Sequence, residues 1–361
     1  MSDTSLASSS SSLVMPVAEM VAEQINDAGG INGREISVVQ ADTEASPDAS
    51  LSAIQRLIDV EGVVAILGPT SLTYSAVSDN FLENEIPMVS PTAGTTALDT
   101  DGGEYIFRTV PSDALGGRAI ARAAIDQGYE EMTMLVGNQE VFQSFREPIR
   151  SSFEEFGGTV NEVIEFRTGK SSYQSEVQSM MSTDPEITAL IGSVEDSVSI
   201  MEAAFQANYQ GDWFVTQDQT NQEFLGQSEN QVTDGIFGLQ EAPYSEAQEA
   251  GRLDEFRQQI KSYAGWEENR IFATNTYDAM NVVGLALKQT AQNDAEITGT
   301  NLATSIPEVA NPPEQAVTNY EDGAAAIEDG TDVDYRGLVG PIDFDENGDV
   351  VAPFSIQSAE G

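Results

Sequence analysis

Two loop segments rich in hydroxyls stand out, Gly68-Pro69-Thr70-Ser71 and Ser90-Pro91-Thr92-Ala93-Gly94-Thr95-Thr96, each following a short apolar run that reads as a buried strand. Backbone N–H groups at the start of a helix, with the positive end of its dipole, are suited to hold a carboxylate. A Ser or Thr there also serves as an ordinary cap. Further along, Asp218 follows the apolar run Trp213 to Thr216, where an acid is either an anchor for an ammonium group or a plain loop residue. In open α/β sheets ligands bind outside the carboxyl edges of the strands, where all three segments fall. Hydroxyls and amides on one side and an acid on the other describe a cleft for a zwitterion. A rival grouping, Glu140, Glu195 and Asp218, has the residue type for carboxylate-pair catalysis, though sequence spacing alone does not show that any two converge.

Much other chemistry is absent. The 361 residues include no His and no Cys, which removes a Ser-His-Asp triad, a thiol nucleophile, a His or Cys zinc site and any disulfide. No cofactor is implied. Gly29-Gly30-Ile31-Asn32-Gly33 lacks the G-x-G-x-x-G spacing and lies after a helix and before a strand, so it reads as a helix stop followed by a turn. Asp343-Phe344-Asp345-Glu346-Asn347-Gly348 opens like a calcium loop, yet the twelfth position, which should be Glu, is Phe354. It reads as a hairpin turning at Asn347-Gly348.

Charge sets the environment. There are 60 Asp plus Glu against 15 Lys plus Arg, a formal net charge of −45. Such a surface repels phosphate backbones and anionic lipids, so nucleic acid is not a partner. The acids run the whole length of the chain, and at molar salt, where the Debye length is about 3 Å, their mutual repulsion largely vanishes. We read this composition as adaptation to high salt, in a halophilic archaeon. No segment reaches the ~18 apolar residues of a membrane span. The start, Met1-Ser2-Asp3-Thr4-Ser5, has neither the basic nor the apolar region of a signal peptide.

Strand and helix signals alternate, which predicts an α/β fold with mainly parallel sheets in two units of similar rhythm. Val14, Val17, Val21 and Ile25 recur at helical spacing. A strand Ile36 to Val39 follows, then a helix capped by Ser46-Pro47, a strand Val63 to Leu67, a helix opening near Gly68-Pro69, and a strand Met88 to Ser90. After Arg108 the pattern restarts with a helix Leu115 to Gln127. Strands are expected at Met132 to Val136, Val160 to Phe166, Ile187 to Ile191, Trp213 to Thr216 and Ile236 to Leu239. Residues 245–290 read as helical, with Leu253, Phe256 and Ile260 on one face, and 301–334 as acidic and poorly periodic.

Five blocks together resemble the solute-binding proteins of branched-chain amino acid ABC transporters. They are Val21-Ala22-Glu23-Gln24-Ile25-Asn26-Asp27-Ala28-Gly29-Gly30-Ile31-Asn32-Gly33-Arg34, Val64-Ala65-Ile66-Leu67-Gly68-Pro69, Ile86-Pro87-Met88-Val89-Ser90-Pro91-Thr92-Ala93, Phe107-Arg108-Thr109-Val110-Pro111-Ser112-Asp113, and Gly340-Pro341-Ile342-Asp343-Phe344-Asp345-Glu346-Asn347-Gly348-Asp349. The resemblance implies the type I periplasmic-binding-protein fold: two Rossmann-like lobes with parallel central sheets, joined by three hinge crossovers near 109–113, 240–245 and 336–340. The lobes would be residues 1–112 plus 245–336, and 113–244 plus 337–361. It also implies a first strand in lobe 1, ahead of the helix that starts near Leu13; that strand is missing from this chain, and an upstream extension is expected to encode it.

Carried over residue by residue, the resemblance places ligand contacts on Ser71 and Thr73 after the second block, and on Thr92, Ala93, Gly94 and Thr95 after the third. In the second lobe it points to Val141 with Phe142, and to Asp218 as the ammonium anchor. Gly94 stands where the family has Thr, and Leu72 where it has a hydroxyl, which leaves the ligand open among branched-chain amino acids and small amides. The implied protein is a receptor and not an enzyme, held at the outer face of the membrane by a lipid anchor or signal segment outside this chain. Its partners would be an amino acid or amide ligand and the permease and ATPase subunits of the importer. A ligand sensor without transport and a carboxylate-dependent hydrolase are the alternatives.

Overall fold

The computed structural model describes residues 10–220, 235–267, 270–293, 295–311 and 315–358; for residues 10–13, 218 and 220 only the backbone path is described. The chain divides into two compact units, Met1–Ser112 with Pro243–Pro353, and Asp113–Ala242 with Phe354–Gly361.

In the first unit the helix Ser10–Asp27 forms because Val14, Val17, Val21 and Ile25 fall on one stripe, and all four are buried. It ends at Gly29-Gly30. Gly30 has φ +63°, and a Cβ there would lie 2.3 Å from the carbonyl oxygen of Arg34, so only glycine fits. The helix Pro47–Arg56 starts with Ser46 as N-cap, its hydroxyl accepting from Ala49 N–H at 3.5 Å. Three short parallel strands, β1 (Ile66–Leu67), β2 (Met88–Ser90) and β3 (Ile106–Arg108), pair in that order. Against this sheet and its flanking helices stands the helix Ala273–Gln292, buried along most of its length. It packs on the helices Ser10–Asp27, Gly299–Ala310 and Tyr320–Glu328.

Several expectations are corrected here. Ile36 to Val39 lies in no ladder: Ile36 and Val38 pack on the core, but no strand among the described residues supplies their backbone partners. The strand expected at Val63 to Leu67 narrows to its last two residues. The described residues of the acidic stretch 301–334 form regular elements: a helix Gly299–Ala310, a helix Tyr320–Glu328, and β9 (Gln315–Val317) paired parallel to β10 (Val333–Tyr335). The hairpin at Asn347-Gly348 is instead an isolated turn. Asp345 accepts from Asn347 N–H at 2.8 Å and Asp349 N–H at 3.0 Å, and the Gly348 carbonyl accepts from Arg108 N–H at 3.0 Å. Residues 337–353 belong to the first unit, not the second. Leu338, Val339, Ile342, Phe344 and Val350 are buried in its core, with the Phe344 ring 5.2 Å from that of Phe107.

The second unit carries a six-stranded sheet in the order β11-β8-β7-β6-β4-β5. These are β4 (Glu131–Gly137), β5 (Thr159–Phe166), β6 (Ile187–Ile191), β7 (Asp212–Val215), β8 (Ile236–Glu241) and β11 (Phe354–Ser358). All pairs are parallel except β11 with β8. β6 is buried at every residue because apolar layers cover both faces, as parallel sheets require. The edge strand β5 instead exposes Asn161, Glu162 and Glu165, charges and amides that discourage pairing with another chain. The helices Asp113–Asp126 and Arg146–Glu155 meet closely at Gly117, where a Cβ would lie 2.7 Å from that of Pro148.

Few charges are buried, and each has partners. Lys288 Nζ donates to Asn32 at 2.8 Å and Glu328 at 2.5 Å. Asp278 accepts from Leu338 N–H at 2.9 Å, Val339 N–H at 3.1 Å and the Tyr335 hydroxyl at 2.9 Å, fixing the turn after β10. Burial pushes its carboxyl up to about 6, against the opposing pull of those hydrogen bonds.

Two predictions arise. The folded state binds a proton at Asp278 more readily than the unfolded chain does, so this group adds stability as pH falls through about 6 and the addition is complete near pH 4. Between pH 7 and 4.5 the wild type should therefore gain on Asp278→Asn by about 2 kcal/mol in urea denaturation; a constant difference contradicts it. Raising KCl from about 0.2 M to about 3 M should raise the melting temperature by roughly 10 °C or more, followed by circular dichroism. A melting point that stays level would refute the reading of the acid excess.

Candidate functional site

Because β1, β2 and β3 are parallel, the segments leaving β1 and β2 come off the same sheet edge. Hydrogen bonds then join them. Ser90 sits at the end of β2, and its hydroxyl donates to the Pro69 carbonyl at 2.7 Å while accepting from Ala93 N–H at 2.9 Å and Thr92 N–H at 3.3 Å. The Ser71 hydroxyl accepts from Thr95 N–H at 3.1 Å. The two hydroxyl-rich loops expected from the sequence are therefore one assembly. The helix itself starts later than expected, at Tyr74, after a turn in which Thr70 accepts from Thr73 and Tyr74 N–H groups.

Within this assembly Ser71, Thr73, Thr92, Ala93, Gly94 and Thr95 are all buried, with Thr92 the most accessible of the named hydroxyls at 9 %. Ser71 and Thr95 spend acceptor capacity on the loop itself, the latter accepting from Ala97 N–H at 3.4 Å. Thr73 Oγ1 and the neighbouring Tyr74 hydroxyl are buried with no hydrogen-bond partner among the described residues. Burial raises the Tyr74 hydroxyl well above the usual phenol range.

Behind the loop lies Arg108, which sequence reasoning passed over. It has no exposed surface, and its guanidinium donates to the carbonyls of Gly94 at 3.1 Å and Thr95 at 3.0 Å, to Asp99 at 2.5 Å and to Asp349 at 2.7 Å. A signal did exist: a cation directly after the apolar pair Ile106-Phe107 is unusual in a chain this short of cations. Thr109 continues the frame. Its hydroxyl donates to the Asn275 carbonyl at 2.9 Å, and Asn275 Nδ2 returns a bond to the Thr109 carbonyl at 3.0 Å.

In the second unit the strand order reverses at β4: β5 lies on one side and β6 on the other. The carboxyl ends of β4 and β6 thus flank a topological switch point, where open sheets bind ligands. Val141 and Phe142 occupy the short helix Glu140–Gln143 just after β4, both half-buried. Phe142 reaches the strand because Gly137 has no Cβ; one there would lie 2.6 Å from the Phe142 ring. Gln143 Nε2 holds the same residue by donating to the Gly137 carbonyl at 2.7 Å.

Asp218 follows β7 in the tight turn Gln217–Thr220, and its side chain lies outside the described residues. Its neighbour Gln219, unremarked in the sequence, is fully buried and pins that turn. Gln219 Nε2 donates to the Gly192 carbonyl at 2.5 Å and Ser197 Oγ at 3.2 Å, and Oε1 accepts from Thr216 at 2.8 Å. The turn is thereby fastened to the end of β6, on the same sheet edge. Of the rival carboxylates, Glu140 is half-buried at the start of its helix and Glu195 is exposed at the start of the helix Val194–Gln206. Among the described residues no group of three or more His, Cys, Asp or Glu is placed to hold a metal ion, and no helix is long and apolar enough to cross a membrane.

Comparison with known proteins follows the same lines. The substrate-binding protein BasB of a chemotactic signal transduction system in Halobacterium salinarum is 27 % identical over 203 residues, 53 % of this chain and 47 % of the relative. The chain thus aligns with about half the length of that protein. The leucine-, isoleucine-, valine-, threonine- and alanine-binding protein of Pseudomonas aeruginosa is 20 % identical over 282 residues, 77 % of this chain and 74 % of the relative. Among solved structures, the leucine-binding protein LivK of Thermotoga maritima superposes with a TM-score of 0.79 at 21 % identity, covering 98 % of this chain and 93 % of that one. LivJ of Streptococcus pneumoniae, solved with isoleucine, gives 0.79 at 18 % identity, covering 99 % and 94 %. These likenesses give the fold, that of type I periplasmic binding proteins, and all four are binding proteins. The sequence pattern of the periplasmic binding protein family matches residues 2–360, and the chain belongs to that family.

Proposed function

We propose that the chain is the solute-binding receptor of an ABC importer and that it takes a branched-chain amino acid. The observation that carries this reading is the joining of the two hydroxyl-rich loops by Ser71 and Ser90, which gathers N–H and hydroxyl groups at one sheet edge, as a carboxylate needs. Ser71, Thr73, Thr92, Ala93, Gly94 and Thr95 take the ligand's carboxylate. Asp218 takes its ammonium group, and Val141 with Phe142 meet its apolar side chain. The leucine- and isoleucine-binding proteins with the same fold support the choice of ligand.

Delivery to a permease and its ATPase, at the outer face of the cell membrane, belongs to the same proposal. Nothing in this reading calls for turnover. The similarity to BasB favours a second reading, in which the loaded receptor reports to a signalling partner and not to a transporter. Permease and ATPase genes beside this one support import; a transducer gene alone supports sensing.

Thermal-shift screening of amino acids and small amides in molar salt should single out leucine, isoleucine or valine, because a ligand at 100 times its Kd stabilises the folded state by about 2.7 kcal/mol. A panel in which only an amide raises the melting temperature would replace the ligand. Calorimetric titration should then show Asp218→Ala weakening binding on the order of 100-fold or more, since an ammonium loses the counter-charge proposed for it. Thr92→Ala should cost about 10-fold or less, the worth of one neutral hydrogen bond. Equal and small losses at both positions would overturn the assigned roles.

A further inference from the structure

A guanidinium without exposed surface is an expensive choice, and apolar residues of similar volume often stabilise a core better. Arg108 spends its charge on a particular set of partners. Nη1 grips the consecutive carbonyls of Gly94 and Thr95, and Nη2 grips Asp99 and Asp349. Those partners come from three segments: the loop after β2, the short helix Leu98–Asp101, and the turn at 345–349. Asp99 in turn accepts from the Ser112 hydroxyl at 2.7 Å and 3.0 Å, and Ser112 is the last residue of the first stretch of the first unit. A planar fork can serve four acceptors at once; the single ammonium of a lysine cannot.

We propose that Arg108 is the positioning residue of the 90–96 loop: it fixes the carbonyls of Gly94 and Thr95, so that the adjoining N–H and hydroxyl groups are preset for an anionic ligand group, and Asp349 is the counter-ion that keeps the fork in place. This rests on the reading of that loop as ligand-binding. The arrangement is also sensitive to pH. Asp349 faces Arg108 on β3, Asp99 on the short helix, Asp345 in its own turn and the buried Tyr74 of the helix Tyr74–Glu83. Burial raises its carboxyl to about 6, with Arg108 pulling the other way. Above that pH the carboxylate is ionised and holds Nη2. An opened loop returns that carboxyl to water and to its ordinary range, so the closed arrangement takes up the proton more readily than the open one and is held more firmly as pH falls through about 6.

The test compares the full chain with Arg108→Lys and Asp349→Asn, ligand-free and in molar salt, by amide hydrogen exchange from pH 5 to 7.5 with intrinsic rates divided out. Arg108→Lys should speed exchange at Ala93 and Thr95 by about tenfold or more while β4 and β6 are unaffected, and should weaken leucine binding by a similar factor. The wild-type loop should gain protection as pH falls through about 6, and Asp349→Asn should lack that response. A folded Arg108→Lys with unchanged loop exchange overturns the proposal. So does an Asp349→Asn protein that keeps the wild-type pH response, which decides the matter if Arg108→Lys does not fold. A loop that loosens in a protein binding no amino acid supports the positioning role and removes the proposed function. An unchanged loop with leucine binding intact does the reverse.

Discussion

The Arg108 guanidinium has no water to turn to, so every strong contact it makes must come from the protein, and those contacts dictate where three separate segments lie. The loop after β2 is drawn in by its own carbonyls, the helix Leu98–Asp101 by Asp99, and the turn at 345–349 by Asp349. Ser90 and Ser71 then complete the loop from its other side with neutral hydrogen bonds. Burying one charge with two opposite charges and two carbonyls leaves little freedom. A buried polar network of this kind selects one loop conformation more than it adds net stability.

The same constraint explains how the chain carries its negative charge. Among the described residues most carboxylates are left on the surface, where salt screens them, and two of those taken inside are met by several donors. Asp278 receives two backbone N–H groups and a tyrosine hydroxyl, and Asp196 receives the Gly169 N–H together with the Tyr173 hydroxyl. The scarce cations are used in the same way, Lys288 and Arg108 each joining segments far apart in sequence. An acid-rich chain that scattered unpaired carboxylates through its core would not fold at any salt concentration.

In the second unit the frame is the sheet itself. Parallel order puts the ends of β4, β6 and β7 on one edge, and the reversal at β4 opens the switch point there. Gln219 does for the turn carrying Asp218 what Arg108 does for the first unit's loop, with an amide in place of a guanidinium. Two such units stand in one chain of the periplasmic binding protein family.

Local pattern alone carried a good deal. The apolar runs at Met88 to Ser90 and Ile187 to Ile191, the stripe of Val14, Val17, Val21 and Ile25, the Ser46-Pro47 cap and the glycine stop at 29–30 are all written in neighbouring residues, because period and cap chemistry are short-range effects. So were the hydroxyl-rich loops, since a sheet edge follows from where a strand ends. What depended on distant partners did not show. Ile36 to Val39 has the composition of a strand and no ladder, the apolar residues of 338–350 joined the first unit's core and not a hairpin, and 301–334 hid two helices behind a polar composition. Arg108 and Gln219 became the supports of the two loops only once folding had carried Asp349 and Gly192 to within hydrogen-bond reach of them, a proximity that no local spacing encodes.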